Sequence, residues 1–274
     1  MPYLFSVLMS VYCNDKPEWV RIAVESISIR QTVQPDEVFI VVDGPVPDKL
    51  AQMLYKLEQE ISTVHLEWCK DNRGLGLALQ YGLARVKHEI VARMDSDDIS
   101  VPNRFEQQLI MLEQDPKLSI VGGHISEFID SPNNIVGNRI VPITDAEIRT
   151  YMKKRDGLNH VTVMFRKSEV LRVGSYQHWY YNEDSWLWLR MYLGGCKFGN
   201  LDETLVNVRV GKDMYARRGG WKYFKSEVGL QKIRLRNHII SFPRYYWNIC
   251  IHFFVKVLIS NHIRKIMFQY LLRK

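Results

Sequence analysis

Residues 90–98 read IVARMDSDD, an apolar run that leads directly into three carboxylates. The apolar part, Ile90–Met94, has the length and composition of a buried strand. Open α/β sheets bind their ligands at the carboxyl ends of strands, which is where Asp95, Asp97 and Asp98 would lie. Like charges packed there would raise one another's pKa values and cost stability unless a cation lies among them. The stretch therefore predicts a buried strand that ends in a charged binding site.

A hard divalent cation is the simplest occupant of that acid cluster. Mg²⁺ in proteins is held by one or two carboxylates together with substrate phosphates, so the spacing indicates a metal–diphosphate site. A solvated acidic turn is the alternative when the cluster is considered alone. A calcium-binding loop is excluded, because Ile99 and Ser100 stand where that loop needs an oxygen ligand and a glycine.

Short apolar runs and helical patterns alternate through the first 115 residues, which is typical of repeated βα units. Strands are predicted at residues 4–11, 37–42, 64–68 and 90–94. Helices are predicted at residues 18–30, 48–59, 75–85 and 102–115. Later strands are predicted at 120–128 and 160–165, and later helices from about Asp145 and at 183–193. We therefore expect an α/β fold, with a mostly parallel sheet flanked by helices.

Charge is distributed unevenly along the chain. The 274 residues include 37 Lys and Arg and 30 Asp and Glu, a formal net charge of +7. Residues 209–274 hold 15 of the basic residues but only two acids, so residues 1–208 are acidic overall. The candidate partners of such a basic region are an anionic membrane surface, an anionic substrate or nucleic acid. We expect residues 1–208 to form one domain and residues 209–274 to form a separate functional region.

The cysteines and the N-terminus both favour a cytosolic chain. The four Cys residues form no C-x-x-C pair and no metal-ligand spacing. No basic segment precedes the first apolar run, so residues 1–8 fit a first strand better than a signal peptide.

Two further motifs suit a nucleotide. Asp43 ends the predicted second strand, where its carboxylate could accept hydrogen bonds from a base or ribose and Gly44 would let a ligand approach the backbone. An ordinary Asp-Gly turn is the alternative. Residues 71–78, DNRGLGLA, open a helix with small residues, which suits an anion or a nucleoside. The dinucleotide-binding fingerprint is incomplete, because Leu79 stands at its third glycine.

An acid pair, Glu183 and Asp184, begins the predicted helix at residues 183–193. Acids in a first helical turn also complement the helix dipole, which is the simpler explanation of the pair considered alone. A bound electrophile, however, would need a base. Because successive helical residues lie about 100° apart, at most one of the two can point squarely into a cleft.

Basic and aromatic residues suggest where an acceptor binds. His160 precedes an apolar strand and could contact a diphosphate, although a structural histidine is the alternative. Arg217, Arg218 and Trp221 belong to a basic and aromatic cluster that could clamp a phosphate or line an acceptor site. A solvated basic loop is the alternative for that cluster.

The tail from Tyr245 to Leu272 is aromatic, apolar and basic. Its longest uncharged run, Tyr245–Val255, is far shorter than the roughly 20 residues that a membrane-spanning helix needs. An amphipathic helix lying in the plane of a membrane surface fits better.

Taken in order, these stretches resemble an inverting family 2 glycosyltransferase with the GT-A fold. The similarity covers about the first 210 residues and rests on five motifs. They are SVLMSVY at 6–12, VDG at 42–44, DNRGL at 71–75, DSDD at 95–98 and ED at 183–184. NHVTVMFRK at 159–167 and RRGGWKY at 217–223 resemble more closely the bacterial enzymes of amylovoran and O-antigen synthesis.

The resemblance implies roles for individual residues. It assigns the nucleotide to Val11, Tyr12, Asp43, Asp71, Arg73 and Asp95. Asp95 and Asp97 match the D-x-D pair that holds Mg²⁺ or Mn²⁺, with Asp98 as a further candidate, and Asp184 matches the catalytic base beside Glu183. The chain departs from the commonest pattern at Gly44-Pro45, where many members have a second acid followed by Gly-Ser.

The resemblance also implies a reaction. We expect a hexose, glucose or galactose, to pass from a UDP-sugar to a polyprenyl-diphosphate-linked N-acetylhexosamine. One displacement would invert the anomeric centre and give a β-linkage, β-1,3 being favoured, through an oxocarbenium-like transition state. The product would be an O-antigen or exopolysaccharide repeat unit, made at the cytoplasmic face of the bacterial inner membrane by a peripheral enzyme.

Three other classes of protein were weighed against this reading. A sugar-nucleotide pyrophosphorylase should have a Gly-rich phosphate loop after the first strand, where this chain has Tyr12-Cys13-Asn14-Asp15. A nucleic-acid-binding protein would leave the acid cluster and the acid pair without a role, so no nucleic acid is expected as a partner. A non-enzymatic membrane scaffold remains as the third alternative.

Overall fold

The structure is a computed structural model in which residues 4–211 and 219–258 are described. A nine-stranded sheet lies at its centre. Its strands are β1 (Phe5–Val11), β2 (Glu37–Val42), β3 (Val64–Trp68), β4 (Ile90–Met94), β5 (Ile99–Ser100), β6 (Leu118–Phe128), β7 (Ile135–Arg139), β8 (Met164–Arg166) and β9 (Lys197–Arg209). The spatial order is β3-β2-β1-β4-β8-β6-β9-β5, and β7 pairs with β6. Strands β1 to β4 are parallel, and β8 joins β4 and β6 as an antiparallel strand.

Helices cover both faces of the sheet. They are α1 (Pro17–Ser26), α2 (Asp48–Glu60), α3 (Leu75–Leu83), α4 (Arg104–Gln114), α5 (Asp145–Tyr151), α6 (Lys167–Arg172), α7 (Glu183–Leu193), α8 (Trp221–Arg236) and α9 (Phe242–Phe253). Helices α1, α2 and α4 share one core with the sheet, and α3, α5, α6 and α7 share a second core on the opposite face. Strands buried on both sides are mostly apolar instead of strictly alternating, as FSVLMSV of β1 shows.

The C-terminal helices pack beside α7. Leu189 of α7, Leu230 of α8 and the pair Ile239 and Ile240 form a third core. Strand β9 runs through Arg209, so the last strand of the sheet crosses the boundary expected at residue 208. No helix within residues 4–211 and 219–258 has the length and hydropathy that crossing a membrane requires.

The structure confirms the predicted bounds of β2, β3, β4 and α7, and differs further along the chain. The strand predicted at 160–165 is wrong in its first half, because residues 160–162 form a 3₁₀ turn and the strand is Met164–Arg166. Strand β9 has no predicted counterpart. Its sequence, KFGNLDETLVNVR, mixes buried and exposed positions, and its pairing with β6 changes register, so no alternation marks it.

Gly82 lets α3 approach the sheet closely. A Cβ at this position would lie 2.5 Å from Leu8 Cδ1 and 2.7 Å from Val41 Cγ2. We expect Gly82→Ala to lower the free energy of unfolding by about 1–3 kcal/mol, because overpacking outweighs the gain of about 0.5–1 kcal/mol in helix propensity. Urea denaturation followed by circular dichroism would measure the change. An unfolding midpoint above that of the wild type would contradict this account of the packing.

Candidate active site

The loops at the carboxyl ends of β1, β2 and β4 meet at one edge of the sheet. Strand β1 lies between β2 and β4 in parallel register, so all three strands end on the same side. Val11, the last residue of β1, is buried, and its carbonyl accepts the Asp43 N–H at 2.8 Å. Tyr12 follows it and is half-buried. This edge carries the residues that the sequence predicts for the nucleotide.

Asp43 ties the loop after β2 to the start of α3. Its Oδ1 accepts the Arg73 N–H at 2.8 Å and its Oδ2 accepts the Gly74 N–H at 2.9 Å. Gly44 has a φ of +88°, and a Cβ there would lie 2.6 Å from the Asn72 nitrogen, so only glycine suits the position. Each Asp43 oxygen keeps a free lone pair for a ligand. Asp71 and Arg73 are exposed beside it.

Four carboxylates gather between the ends of β1 and β4. Asp95, Asp97 and Asp98 follow the end of β4, and Asp15 lies beside them on the loop after β1. Burial and neighbouring Asp95 raise the pKa of Asp97 to about 6, and burial raises that of Asp15 to about 6. Burial and the charge of Asp97 raise the pKa of Asp98 well above its ordinary value. The sequence analysis missed Asp15, although its place after the first strand is a signal of the same kind.

Two arginines oppose the cluster, and neither was identified from sequence as part of a site at this edge. Arg93 of β4 is buried, and its two terminal nitrogens donate to both oxygens of Asp95, Nη1 to Oδ2 at 2.6 Å. Arg209 donates its backbone N–H to Asp98 Oδ1 at 2.8 Å and its Nε–H to the Asp97 carbonyl at 3.1 Å. Arg93 therefore orients the Asp95 carboxylate, while Arg209 fixes the loop from the end of β9.

The acid cluster has the donor chemistry of a Mg²⁺ or Mn²⁺ site that is completed by a diphosphate. Within the described ranges, no group of three or more His, Cys, Asp or Glu side chains is arranged to hold a metal ion. Such a site needs only one or two carboxylates, and Asp95 and Asp97 supply hard oxygen ligands. The mutual repulsion that raises the pKa of Asp97 is what a bound cation would relieve. The residues fit the ion.

The acid pair begins α7 beside this edge. A Cβ at Gly76 would lie 3.2 Å from Glu183 Cβ, so the starts of α3 and α7 are in contact. Asp184 Oδ1 accepts the Ser185 N–H at 2.7 Å. Burial, together with the charges of Asp156 and Glu183, raises the pKa of Asp184 to about 7. Burial also raises the pKa of Glu183. The charge of Arg93 lowers that pKa and the charge of Asp95 raises it.

His160 lies on the same side of the sheet in an aromatic setting. Its Nε2 is 3.0 Å from the Tyr176 hydroxyl, and its ring packs edge-on against Trp188. Burial and the charge of Arg93 lower its pKa well below the ordinary value, so the imidazole is neutral. This setting suits a hydrogen-bonding role better than a charged one.

The predicted acceptor residues fall in and beside a gap in the described chain. Arg217 and Arg218 lie outside the described residues. Trp221 begins α8, is about half exposed and packs against Phe224 and Phe253. Lys222 Nζ lies 4.1 Å from the ring centroid of Tyr180.

Known glycosyltransferases are similar in sequence to this chain. Residues 6–179 match the Glycosyl transferase family 2 domain. The amylovoran biosynthesis glycosyltransferase AmsE of Erwinia amylovora is 39% identical over 232 residues, which cover 85% of this chain and 86% of that protein. An Escherichia coli UDP-Gal:alpha-D-GlcNAc-diphosphoundecaprenol beta-1,3-galactosyltransferase is 37% identical over 254 residues, which cover 93% of this chain and 91% of that one.

Solved structures support the fold. The mannosyltransferase PcManGT of Pyrobaculum calidifontis, determined with GDP-Man and Mn²⁺, superposes with a TM-score of 0.64. The superposition covers 95% of this chain and 71% of that one at 14% sequence identity, a level at which only the fold is shared. The predicted GT-A architecture is confirmed. Together with the matched domain and the relatives, it shows that this chain belongs to glycosyl transferase family 2.

Proposed function

We propose that this glycosyltransferase moves a hexose, glucose or galactose, from UDP to a polyprenyl-diphosphate-linked N-acetylhexosamine in O-antigen or exopolysaccharide repeat-unit synthesis. The linkage formed is β, with β-1,3 favoured. Similarity over 93% of the chain to a galactosyltransferase with this type of donor and acceptor supports the choice. The observation that carries the proposal is structural: an acid cluster at the end of β4 adjoins an acid pair at the start of α7.

The nucleotide binds, in this proposal, across the ends of β1, β2 and β3. Val11 and Tyr12 line the base pocket, and the free lone pairs of Asp43 accept hydrogen bonds from uracil or ribose. Asp71 and Arg73 stand on the loop that Asp43 holds in place. Because Asp43 is bound to backbone N–H groups, the pocket is ordered before the ligand arrives, which lowers the entropy cost of binding.

The diphosphate lies against the acid cluster. Asp95 and Asp97, with Asp98 behind them, are the residues that would hold Mg²⁺ or Mn²⁺, which would supply positive charge to the leaving diphosphate. Arg93 fixes the orientation of the Asp95 carboxylate through a hydrogen bond from Nη1 to Oδ2 at 2.6 Å. Asp98 accepts the Arg209 N–H and so supports the loop from behind.

Asp184 is the proposed general base, with Glu183 beside it. A base is most effective when its pKa is near the working pH, and burial raises the pKa of Asp184 to about 7. Its carboxylate takes the proton of the attacking acceptor hydroxyl while the bond from the sugar to the diphosphate breaks. One displacement of this kind inverts the anomeric centre. His160, neutral and bonded to Tyr176, orients polar groups in the acceptor half of the site.

The acceptor diphosphate is assigned to Arg217 and Arg218, with Trp221 as an apolar wall. The acceptor lipid requires that the enzyme reach the membrane surface, and α9 offers a face for it. Six apolar and aromatic side chains are 44–62% exposed on α9 and on the π-helical turn Phe254–Leu258 that continues it: Phe242, Tyr246, Trp247, Ile251, Phe254 and Leu258. The basic residues of 209–274 add attraction to an anionic leaflet of about 1 kcal/mol per Lys or Arg near the surface. We propose peripheral binding to the cytoplasmic face of the inner membrane.

Replacing the proposed base tests the mechanism. Asp184→Asn should lower kcat by about 10²–10⁴ while the KM for the UDP-sugar stays nearly unchanged. In the wild type, kcat/KM should fall as the pH drops below about 7, because protonated Asp184 cannot accept a proton. Steady-state kinetics with UDP-glucose and UDP-galactose would measure both effects. Glu183→Gln is the matched control, and a kcat loss seen only in that variant would give the role to Glu183.

Removing the metal tests the acid cluster. Asp97→Asn should abolish transfer with the fold intact, and EDTA should do the same reversibly, because the leaving diphosphate then loses its neutralising charge. Adding back Mg²⁺ or Mn²⁺ in excess of the chelator should restore the rate. Glu113→Gln, a change at an exposed position of α4, serves as the charge-matched control. Full activity in chelator without any divalent ion would show that the metal assignment is wrong.

The exposed face of α9 can be tested without removing the helix. We expect the double variant Trp247→Ala, Phe254→Ala to bind anionic vesicles at least about tenfold more weakly, because two aromatic side chains no longer enter the interface. Its KM for a lipid-linked acceptor should rise more than its KM for a soluble analogue. Ile110→Ala, at an exposed apolar position of α4, is the control. Unchanged sedimentation with vesicles would exclude α9 as the membrane-binding element.

A further inference from the structure

The basic C-terminal region reaches back to the catalytic helix at two points. The first is Ser226 of α8. Its hydroxyl accepts a hydrogen bond from Asn182 Nδ2 at 3.0 Å and donates one to the Tyr180 carbonyl at 2.8 Å. The Ser226 carbonyl accepts the Trp179 Nε1–H at 3.2 Å. One residue of α8 thus holds the segment 179–182, which leads directly into Glu183 and Asp184.

The segment that Ser226 holds is conformationally demanding. Tyr181 has a φ of +52°, in the left-handed region that non-glycine residues avoid, so outside contacts must support it. Asn182 is buried and stands as the N-cap of α7. Helix α8 comes close enough to do this because Gly229 faces Trp179, and a Cβ there would lie 2.8 Å from Trp179 Cζ2.

The second point of contact is a polar chain that ends beside the proposed base. Arg234 of α8 is buried, with Nη2 3.7 Å from Asp156 Oδ1. Asp156 Oδ2 accepts the Ser185 hydroxyl hydrogen bond at 2.5 Å. Ser185 donates its backbone N–H to Asp184 Oδ1 at 2.7 Å. These polar contacts connect Arg234 of the C-terminal region to the Asp184 carboxylate through Asp156 and Ser185.

We infer that α8 completes the catalytic site by positioning the start of α7. Ser226, Arg234 and Asp156 are positioning residues for the proposed base, so the C-terminal region serves the chemical step as well as acceptor binding. The inference rests on the proposed role of Asp184, and it adds a contribution from a helix that lies beyond residues 6–179 of the family domain.

The charges around Asp184 come from several elements. Asp156 and Glu183 raise its pKa, and Arg139 of β7 lowers it. The positive charge of Arg234 offsets the negative charge of Asp156. Arg234 also lies near Glu227, Lys256 and His252, and Lys256 Nζ donates to Glu227 Oε1 at 2.6 Å. Losing the charge of Asp156 should therefore ease ionisation of Asp184. Losing the charge of Arg234 should hinder it.

The pH profile of kcat/KM in the full-length protein tests this inference. With UDP-galactose or UDP-glucose and a soluble acceptor analogue, Asp156→Asn should move the acid limb by about one unit to lower pH. Arg234→Gln should move the limb to higher pH, and Arg234→Lys should restore it. Ser226→Ala should lower kcat roughly tenfold through misplacement of α7, with UDP binding by calorimetry unchanged.

Arg236→Gln, the same substitution at an exposed position of the same helix, is the matched control and should leave the profile unchanged. A merely structural role would lower the melting temperature without moving the acid limb. If Asp184→Asn is inactive while the limb of Asp156→Asn stays at the wild-type pH, the inference fails and the base assignment survives. If Asp184→Asn keeps its kcat, the base assignment itself fails. Ser226→Ala removes one hydroxyl of α8 and leaves every charge in place, so a wild-type kcat in that variant would exclude positioning by α8 even if Arg234→Gln does not fold.

Discussion

The burial of several carboxylates at one edge of the sheet is the constraint on which the rest of the site depends. Asp15, Asp97 and Asp98 all have raised pKa values because they share one edge of the sheet with little water around them. Arg93 and Arg209 offset part of that charge, each from a different strand. Buried carboxylates lower the stability of the folded chain unless a cation lies among them. The edge is therefore suited to a ligand that brings a cation and phosphates together.

A buried positive charge lies next to the end of β4, on Arg104. Arg104 of α4 is buried, and its guanidinium donates to the Arg93 carbonyl at 2.8 Å and to Gln108 Oε1 at 3.1 Å. Burial and the nearby charge of Arg93 lower its pKa to about 9. A cation under the end of β4 adds positive potential to the acid cluster from the core side. The sheet edge therefore carries its charges in layers, acids toward the ligand and guanidinium groups behind them.

Sequence reasoning predicted the parts of this arrangement that local pattern specifies. Strands buried on both faces give mostly apolar runs, so β2 and β4 were predicted to the residue, and the acids that follow them were found with them. Asp15 was missed because it stands four residues after the end of β1 and not directly at the strand end as Asp43 and Asp95 do, and Arg93 because a charge inside a strand does not reveal its partner. Strand β9 was not predicted, because its long pairing with β6 changes register and leaves no regular alternation in the sequence. The contacts of Ser226 and Arg234 join residues more than 40 positions apart, and no local pattern encodes such a pairing.

These long-range contacts change how the basic region is understood. Its charge and its aromatic side chains suggested a surface anchor, separate from the chemistry. In the structure, α9 turns its apolar side chains outward and packs its other side on α8, where Asn248 Nδ2 donates to Gln231 Oε1 at 2.9 Å. Helix α8 in turn holds the start of α7. Under the proposed function, a lipid-linked acceptor that arrives at the outer face of α9 would approach a base held by the adjoining helix, so membrane binding and proton transfer would both depend on α7, α8 and α9.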